Sequence, residues 1–109
     1  MDISKLDVVK YSNEGYRFLI NNPKTGKDTD IAITIKGYFA DGYREVAGDT
    51  VKGTADLMAK FTIGWENVEE NGKELPFTVE NAARVYANFP VIYGQVLATI
   101  NNIKNFIKD

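Results

Sequence analysis

The spacing of apolar and polar positions changes once, near Gly37, and that change divides the chain. Upstream, Tyr16-Arg17-Phe18-Leu19-Ile20 alternates, placing Tyr16, Phe18 and Ile20 on one face of a strand. Ile31-Ala32-Ile33-Thr34-Ile35 alternates again, its three isoleucines opposite Ala32 and Thr34. Between them, Asn21-Asn22-Pro23-Lys24-Thr25-Gly26-Lys27-Asp28 carries a proline with a glycine three residues on. That suits a type I turn ending in a left-handed residue. The two runs predict an antiparallel hairpin from about Tyr16 to Lys36 with one buried side. An isolated hairpin is marginal in water, so it needs helices or further strands against it. The stretch before it, through Asn13-Glu14-Gly15, reads as a short polar lead-in.

Downstream of Gly37 the spacing becomes helical. Phe39, Tyr43, Val46 and Ala47 form one short stripe; Val51, Ala55, Met58 and Thr62 form another, with Leu57 and Phe61 beside it. Gly48 and Gly53 each weaken a helix by about 1 kcal/mol relative to alanine. A break near Gly48 is therefore expected, with Asp49 or Thr50 capping the second piece. Gly64-Trp65-Glu66 then leads into a polar turn, Glu69 to Glu74, and on to Leu75-Pro76-Phe77-Thr78. Thr78 is a candidate N-cap, and Glu80 is placed against the helix dipole. Val79, Ala82, Ala83, Tyr86 and Phe89 recur at helical spacing after it. Pro90 suits the first turn of a new helix, because its missing N–H has no partner there anyway, and Phe89 before it is pushed out of the helical region. The stripe Ile92, Val96, Ile100, Ile103, Ile107, widened by Leu97, predicts a last helix from Pro90 to about Ile107. Lys104 and Lys108 then fall in its last turn, where cations suit the carbonyl end. The predicted fold class is α+β: an N-terminal antiparallel β-hairpin packed on a mainly helical C-terminal part. It forms a single domain over 1–109, with a hairpin region at 1–37, a central helical segment at 38–63, and a Trp-turn with a two-helix unit at 64–109.

Composition narrows the chemistry. A chain of 109 residues with 44% hydrophobic content and net charge −2 can bury a core and is not expected to be disordered. There is no cysteine, so neither a disulfide nor a thiolate zinc site is possible, as fits a reducing cytoplasm. There is no histidine, which removes the commonest general base and metal ligand. Met1-Asp2-Ile3-Ser4-Lys5 lacks the apolar core of a signal peptide, and no run approaches the ~20 apolar residues of a membrane span. An acidic pI near 5.1 gives no general pull toward nucleic acid.

Gly26-Lys27-Asp28-Thr29 superficially resembles a phosphate-binding loop. It lacks the earlier glycine, lies between antiparallel strands, and has Asp28 where a magnesium-binding hydroxyl belongs. Asp28 and Asp30 supply too few oxygen ligands for calcium. Glu66, Glu69, Glu70 and Glu74 surround an Asn-Gly turn open to water, and so form a solvated face rather than an acid–base pair. Trp65 is either a binding hot spot or a core anchor, and the core is the usual place for a lone tryptophan in a small domain. Tyr11, Tyr38, Tyr43 and Tyr93 are candidate base-stacking platforms, but no basic groove accompanies them. Phe89-Pro90 reads as a hinge and packing device. No catalytic, cofactor or metal residue is expected. The partner-binding residues are not identified by the sequence, and a homo-oligomer is open.

The ordered set Gly64, Trp65, Glu66, Gly72, Leu75, Pro76, Phe77, Thr78, Glu80, Asn81, Phe89, Pro90, Asn105 and Phe106 resembles the C-terminal signature of tail assembly chaperones of long-tailed bacteriophages and prophages. The resemblance runs from Gly64 onward and is looser upstream. In the central segment the chain departs from that family, which carries a longer, highly charged helix there. The resemblance implies a non-enzymatic protein of the bacterial host's cytoplasm. Such a protein binds the tape-measure protein, helps recruit tail-tube subunits, and is absent from mature virions. It also implies that an elongated product is often made by frameshifting near the codons for Asn105 to Lys108. The competing expectations are a structural virion protein, such as a tail-completion or connector subunit, and a small phage-encoded inhibitor of a host protein.

Overall fold

The computed structural model describes residues 1–46 and 50–108. The burial expected of Ala47, the break at Gly48 and a cap by Asp49 lie outside these residues, as do the side chains of Val46 and Val51. The fold is α+β, with the N-terminal hairpin packed on helices from the C-terminal part.

The segment before the hairpin is helical. Rather than a polar lead-in, a 3-10 turn over Ile3–Leu6 passes into helix α1, Val8–Glu14. The Asp7 carboxylate accepts the Lys10 N–H at 3.1 Å, and Gly15 ends the helix at φ +93°. A Cβ at Gly15 would also stand 2.5 Å from the Ile63 side chain, so only glycine fits this turn. Seven residues with no apolar stripe gave no periodic signal; the capping aspartate and the stopping glycine did.

The hairpin forms as expected from β1, Tyr16–Asn21, and β2, Asp28–Ile35, with Tyr16 opposite Ile35 and Phe18 opposite Ile33. Gly26 takes the left-handed conformation in its turn, at φ +74°. Ile20, Ile33 and Ile35 enter the core, with Phe18 and Ile31 packed at its edge. Tyr16 shares their strand face but sits at the rim, 37% exposed, its ring edge-on to Phe106. Ala32 on the opposite face is also buried. It is a single methyl in the middle strand, with Leu19 and Glu66 as register neighbours, and the Arg17–Glu66 ion pair crosses the strand beside it.

Residues 43–60 then supply two helices, α2, Tyr43–Val46, and α3, Val51–Lys60. The Thr50 hydroxyl caps α3 by accepting the Gly53 N–H at 3.0 Å. Ala55, Leu57, Met58 and Ala59 are buried. The last two residues of the expected helical segment, Thr62 and Ile63, are strand instead, because Thr62 opens a third strand, β3, Thr62–Glu66. It pairs antiparallel with β2, placing Trp65 opposite Ile33. The hairpin is thus part of a three-stranded sheet of order β1-β2-β3, and Gly64-Trp65-Glu66 belongs to the sheet, not to a C-terminal unit. Two short strands follow, β4, Glu69–Glu70, and β5, Lys73–Glu74. Asn71 and Gly72 between them both have positive φ, 54° and 80°, the twist that a two-residue hairpin loop requires.

Helix α4, Val79–Asn88, begins where expected, with the Thr78 hydroxyl accepting the Asn81 N–H at 3.0 Å. Its buried face is Ala82, Val85 and Tyr86, while Val79 and Phe89 at the ends of the expected stripe are exposed. Helix α5, Pro90–Asn101, has proline at its start and buries Val96 and Ile100. It stops six residues short of the expected Ile107. Asn102 turns its side chain forward onto the Lys104 N–H at 3.1 Å, and a 3-10 turn over Ile103–Phe106 follows. Asparagine competes for backbone hydrogen bonds in this way and so favours caps over helix interiors. Ile103 is consequently 48% exposed, and Phe106 is buried instead. Lys104 falls in that 3-10 turn, and Lys108 lies beyond it. Among the described residues no strand lies between Thr78 and Phe106, and no helix is long and apolar enough to cross a membrane.

Tyr86 is the polar centre of the core. The Thr62 hydroxyl donates to the Met58 carbonyl at 2.8 Å, so the Tyr86 hydroxyl, 2.8 Å away, is the donor to Thr62. Burial pushes the phenol up to about 12. The folded pKa lies above the unfolded value near 10, so the stability is present below pH ~10 and falls away as pH rises toward ~12, by about 2–3 kcal/mol. Tyr86→Phe is expected to cost about 1 kcal/mol at pH 8, by losing the bond to Thr62. It should also lose less stability than the wild type between pH 8 and 11. Urea midpoints at the two pH values check this, and parallel alkaline losses would show that Tyr86 does not titrate in this window.

Candidate functional site

An apolar surface feature surrounds the junction of α4 and α5. Phe89 closes α4, its N–H on the Val85 carbonyl at 2.9 Å, and takes the extended conformation that a following proline imposes, φ −122°, ψ 87°. The chain changes direction there, and the ring is left 41% exposed rather than folded inward. Hinge and packing are therefore only part of its setting. Two cavities flank it. One, of about 230 Å³, lies toward the β4–β5 turn and is walled by Val68, Leu75 and Val85, with Glu69 and Glu70 at its rim. The other, of about 460 Å³, lies toward the hairpin turn and is walled by Ile20, Pro23 and Val91. Both share Ile31, Phe89 and Ile92, so they adjoin and form one groove.

Polar contacts hold the walls. Gln95 on α5 accepts the Asn21 N–H and donates to the Asn21 carbonyl, both at 2.7 Å, as a neighbouring strand residue would. This ties α5 to the end of β1. On the other side, Arg84 grips both oxygens of Glu70 at 2.8 and 3.0 Å and ties α4 to the small hairpin. The Arg84 hydrogen bonds hold the Glu70 carboxyl below the usual carboxylate range and raise Arg84 in turn. The pair is exposed, so its value is geometric more than energetic. Neither Gln95 nor Arg84 carried a sequence signal.

The other candidates are dispersed. Gly26-Lys27-Asp28-Thr29 runs from a turn into β2, and the Thr29 hydroxyl is engaged with the Ile20 carbonyl at 2.7 Å. Asp28 accepts from the Asn21 side chain. Of the glutamates, Glu66 pairs with Arg17 and Glu70 with Arg84, while Glu69 and Glu74 face each other across β4 and β5. Among the described residues no three His, Cys, Asp or Glu side chains gather as a metal-holding group. Trp65 is half-buried, its indole N–H donating to the Leu75 carbonyl at 2.9 Å and its ring edge-on to Phe77 at 5.3 Å, which makes it an anchor between β3 and the chain entering α4. Tyr43 is buried between Tyr38 and Phe61, and burial raises its phenol. Tyr93 packs on the core, and Tyr11 lies under Lys10 and Lys108. These rings do not form a row of open stacking platforms. In comparisons with known proteins, no family model, no curated protein and no solved structure matches the chain.

Proposed function

We propose that this is a non-enzymatic binding protein, a tail assembly chaperone of a long-tailed phage or prophage. It binds the tape-measure protein in the bacterial cytoplasm, helps recruit tail-tube subunits, and leaves before the virion is complete. The observation that supports this best is the open apolar groove around Phe89, whose Phe89, Pro90 and Leu75 belong to the residues that carry the family resemblance and which also takes walls from the hairpin. A tape-measure protein is a long helical chain with apolar stretches, and apolar patches of that extent aggregate unless covered. A small protein with an apolar groove can cover such stretches by helix-in-groove contact, with no cofactor and no covalent step.

Co-expression is expected to keep the cognate tape-measure protein soluble and to yield a complex that co-purifies. With a net charge of −2 supplying little long-range attraction, the complex should survive about 0.5 M salt, where the Debye length is roughly 4 Å. Mass spectrometry of purified virions should find the protein absent or far below stoichiometric. Stoichiometric recovery from particles would select a structural virion subunit instead. Failure to co-purify at any salt would remove the chaperone.

A further inference from the structure

The groove has a specific form. An apolar cavity of about 150 Å³ accommodates a benzene-sized group, so each of the two cavities, at about 230 and 460 Å³, has room for a large side chain. Ile31, Phe89 and Ile92 line both of them, so the two lie side by side. The walls are side chains, and the nearest strand end is closed, because Gln95 already satisfies the backbone N–H and carbonyl of Asn21. An added strand would find no free backbone partners at that point, whereas a helix satisfies its own backbone and offers only side chains.

The rim adds a charge. Glu69 borders the smaller cavity and faces Glu74 directly across the ladder, an arrangement of like charges that destabilises a strand pair. Glu70 beside it is already bound by Arg84. Among the described residues no ion pair neutralises Glu69 or Glu74. A cation brought by a partner would offset that repulsion at the place where the apolar floor ends.

We infer that the groove docks an amphipathic helix that sets two large apolar side chains, one in each cavity, and places a lysine or arginine against Glu69. As a description of the occupant's chemistry this stands on the groove alone. Its identification with a segment of the tape-measure protein rests on the function proposed above.

The probe is a labelled, alanine-rich synthetic helix of about 20 residues, long enough to hold its fold, with leucines at positions i and i+4 and two lysines beside one of them. A second peptide carries glutamates in place of the lysines, and a third carries serines in place of the leucines. Fluorescence anisotropy with the full chain should show the leucine–lysine peptide binding about tenfold more tightly than either other peptide. Val91→Asp should weaken it by about tenfold or more, because a carboxylate enters the apolar wall. Val91 is 50% exposed in the first turn of α5, where an anion suits the helix dipole, so the variant should stay folded by circular dichroism. Glu69→Lys should reverse the preference between the lysine and glutamate peptides. Equal binding of all three peptides, no binding, or an unchanged affinity in folded Val91→Asp would overturn the inference. If the tape-measure protein co-purifies equally well with wild type and with Val91→Asp, the chaperone stands and the groove is not where that protein docks. If the peptide behaves as expected but the tape-measure protein does not co-purify, the chaperone falls and the groove stands.

Discussion

Ile100→Asp is expected to unfold the protein at ordinary temperature, or to leave it expanded, with no cooperative thermal transition. Ile100 is 1% exposed within the core formed by α3, α4, α5 and the sheet, and its carbonyl accepts the Tyr38 N–H at 3.2 Å. An aspartate there has no cationic partner in the core cluster. It must either hold a charge without water or take up a proton, and it forfeits the apolar contacts in either case. The combined cost of several kcal/mol is comparable with the whole stability of a domain this size, about 5–15 kcal/mol. Ile103→Asp is the control. It belongs to the same sequence stripe but is 48% exposed after the helix has ended, so it should change stability by no more than about 0.5 kcal/mol. Thermal melts by circular dichroism, with size-exclusion chromatography for the oligomeric state, separate the two. An unchanged melting temperature in Ile100→Asp would mean that the α5 stripe is not core.

The contrast between those isoleucines shows where local pattern stops being informative. Spacing alone puts Ile100 and Ile103 on one face, and only the Asn101–Asn102 exit from the helix decides that one is buried and the other is not. The caps at Thr50 and Thr78, the proline start of α5 and the left-handed Gly26 were legible, because each rests on chemistry within three or four residues. Strand β3 was not. It follows α3 with only Phe61 between, contains a glycine, and meets β2 with a register shift between Thr34 and Ile35 that breaks its alternation. The groove was half legible. Phe89-Pro90 announces a turn, but the walls of the groove come from Ile20 and Ile31 on the hairpin, and the bond that ties α5 to it joins Gln95 to Asn21, 74 residues apart. No window along the chain contains both partners of such a contact.

The second large effect concerns Phe106, which replaces the expected Ile103 and Ile107 as the C-terminal anchor. Its ring is 1% exposed, packs edge-on to Tyr16 at 6.1 Å between centroids, and lies over Gly37 and Ser12. Phe106→Ala should cost about 3–5 kcal/mol, the usual range for emptying a buried phenylalanine site, and lower the melting temperature by some 15 °C or more. Gly37 gives an independent test of the same contact. A Cβ at Gly37 would stand 2.6 Å from the Ser12 hydroxyl oxygen and 2.7 and 2.8 Å from two carbons of the Phe106 ring. Gly37→Ala should therefore destabilise by about 1–3 kcal/mol through overpacking. Trimming the opposing groups should relieve it: in the triple variant Ser12→Ala, Gly37→Ala, Phe106→Leu, the alanine at Gly37 should cost at least about 1 kcal/mol less than in the wild type. Ser12→Ala alone should be close to neutral, since its buried hydroxyl oxygen has no hydrogen-bond partner among the described residues. Denaturant midpoints for the wild type, Gly37→Ala, the Ser12→Ala/Phe106→Leu double variant and the triple variant decide it. Strict additivity would mean that Phe106 does not rest on Gly37, and the anchoring of the C-terminal turn against α1 and the hairpin would have to come from elsewhere.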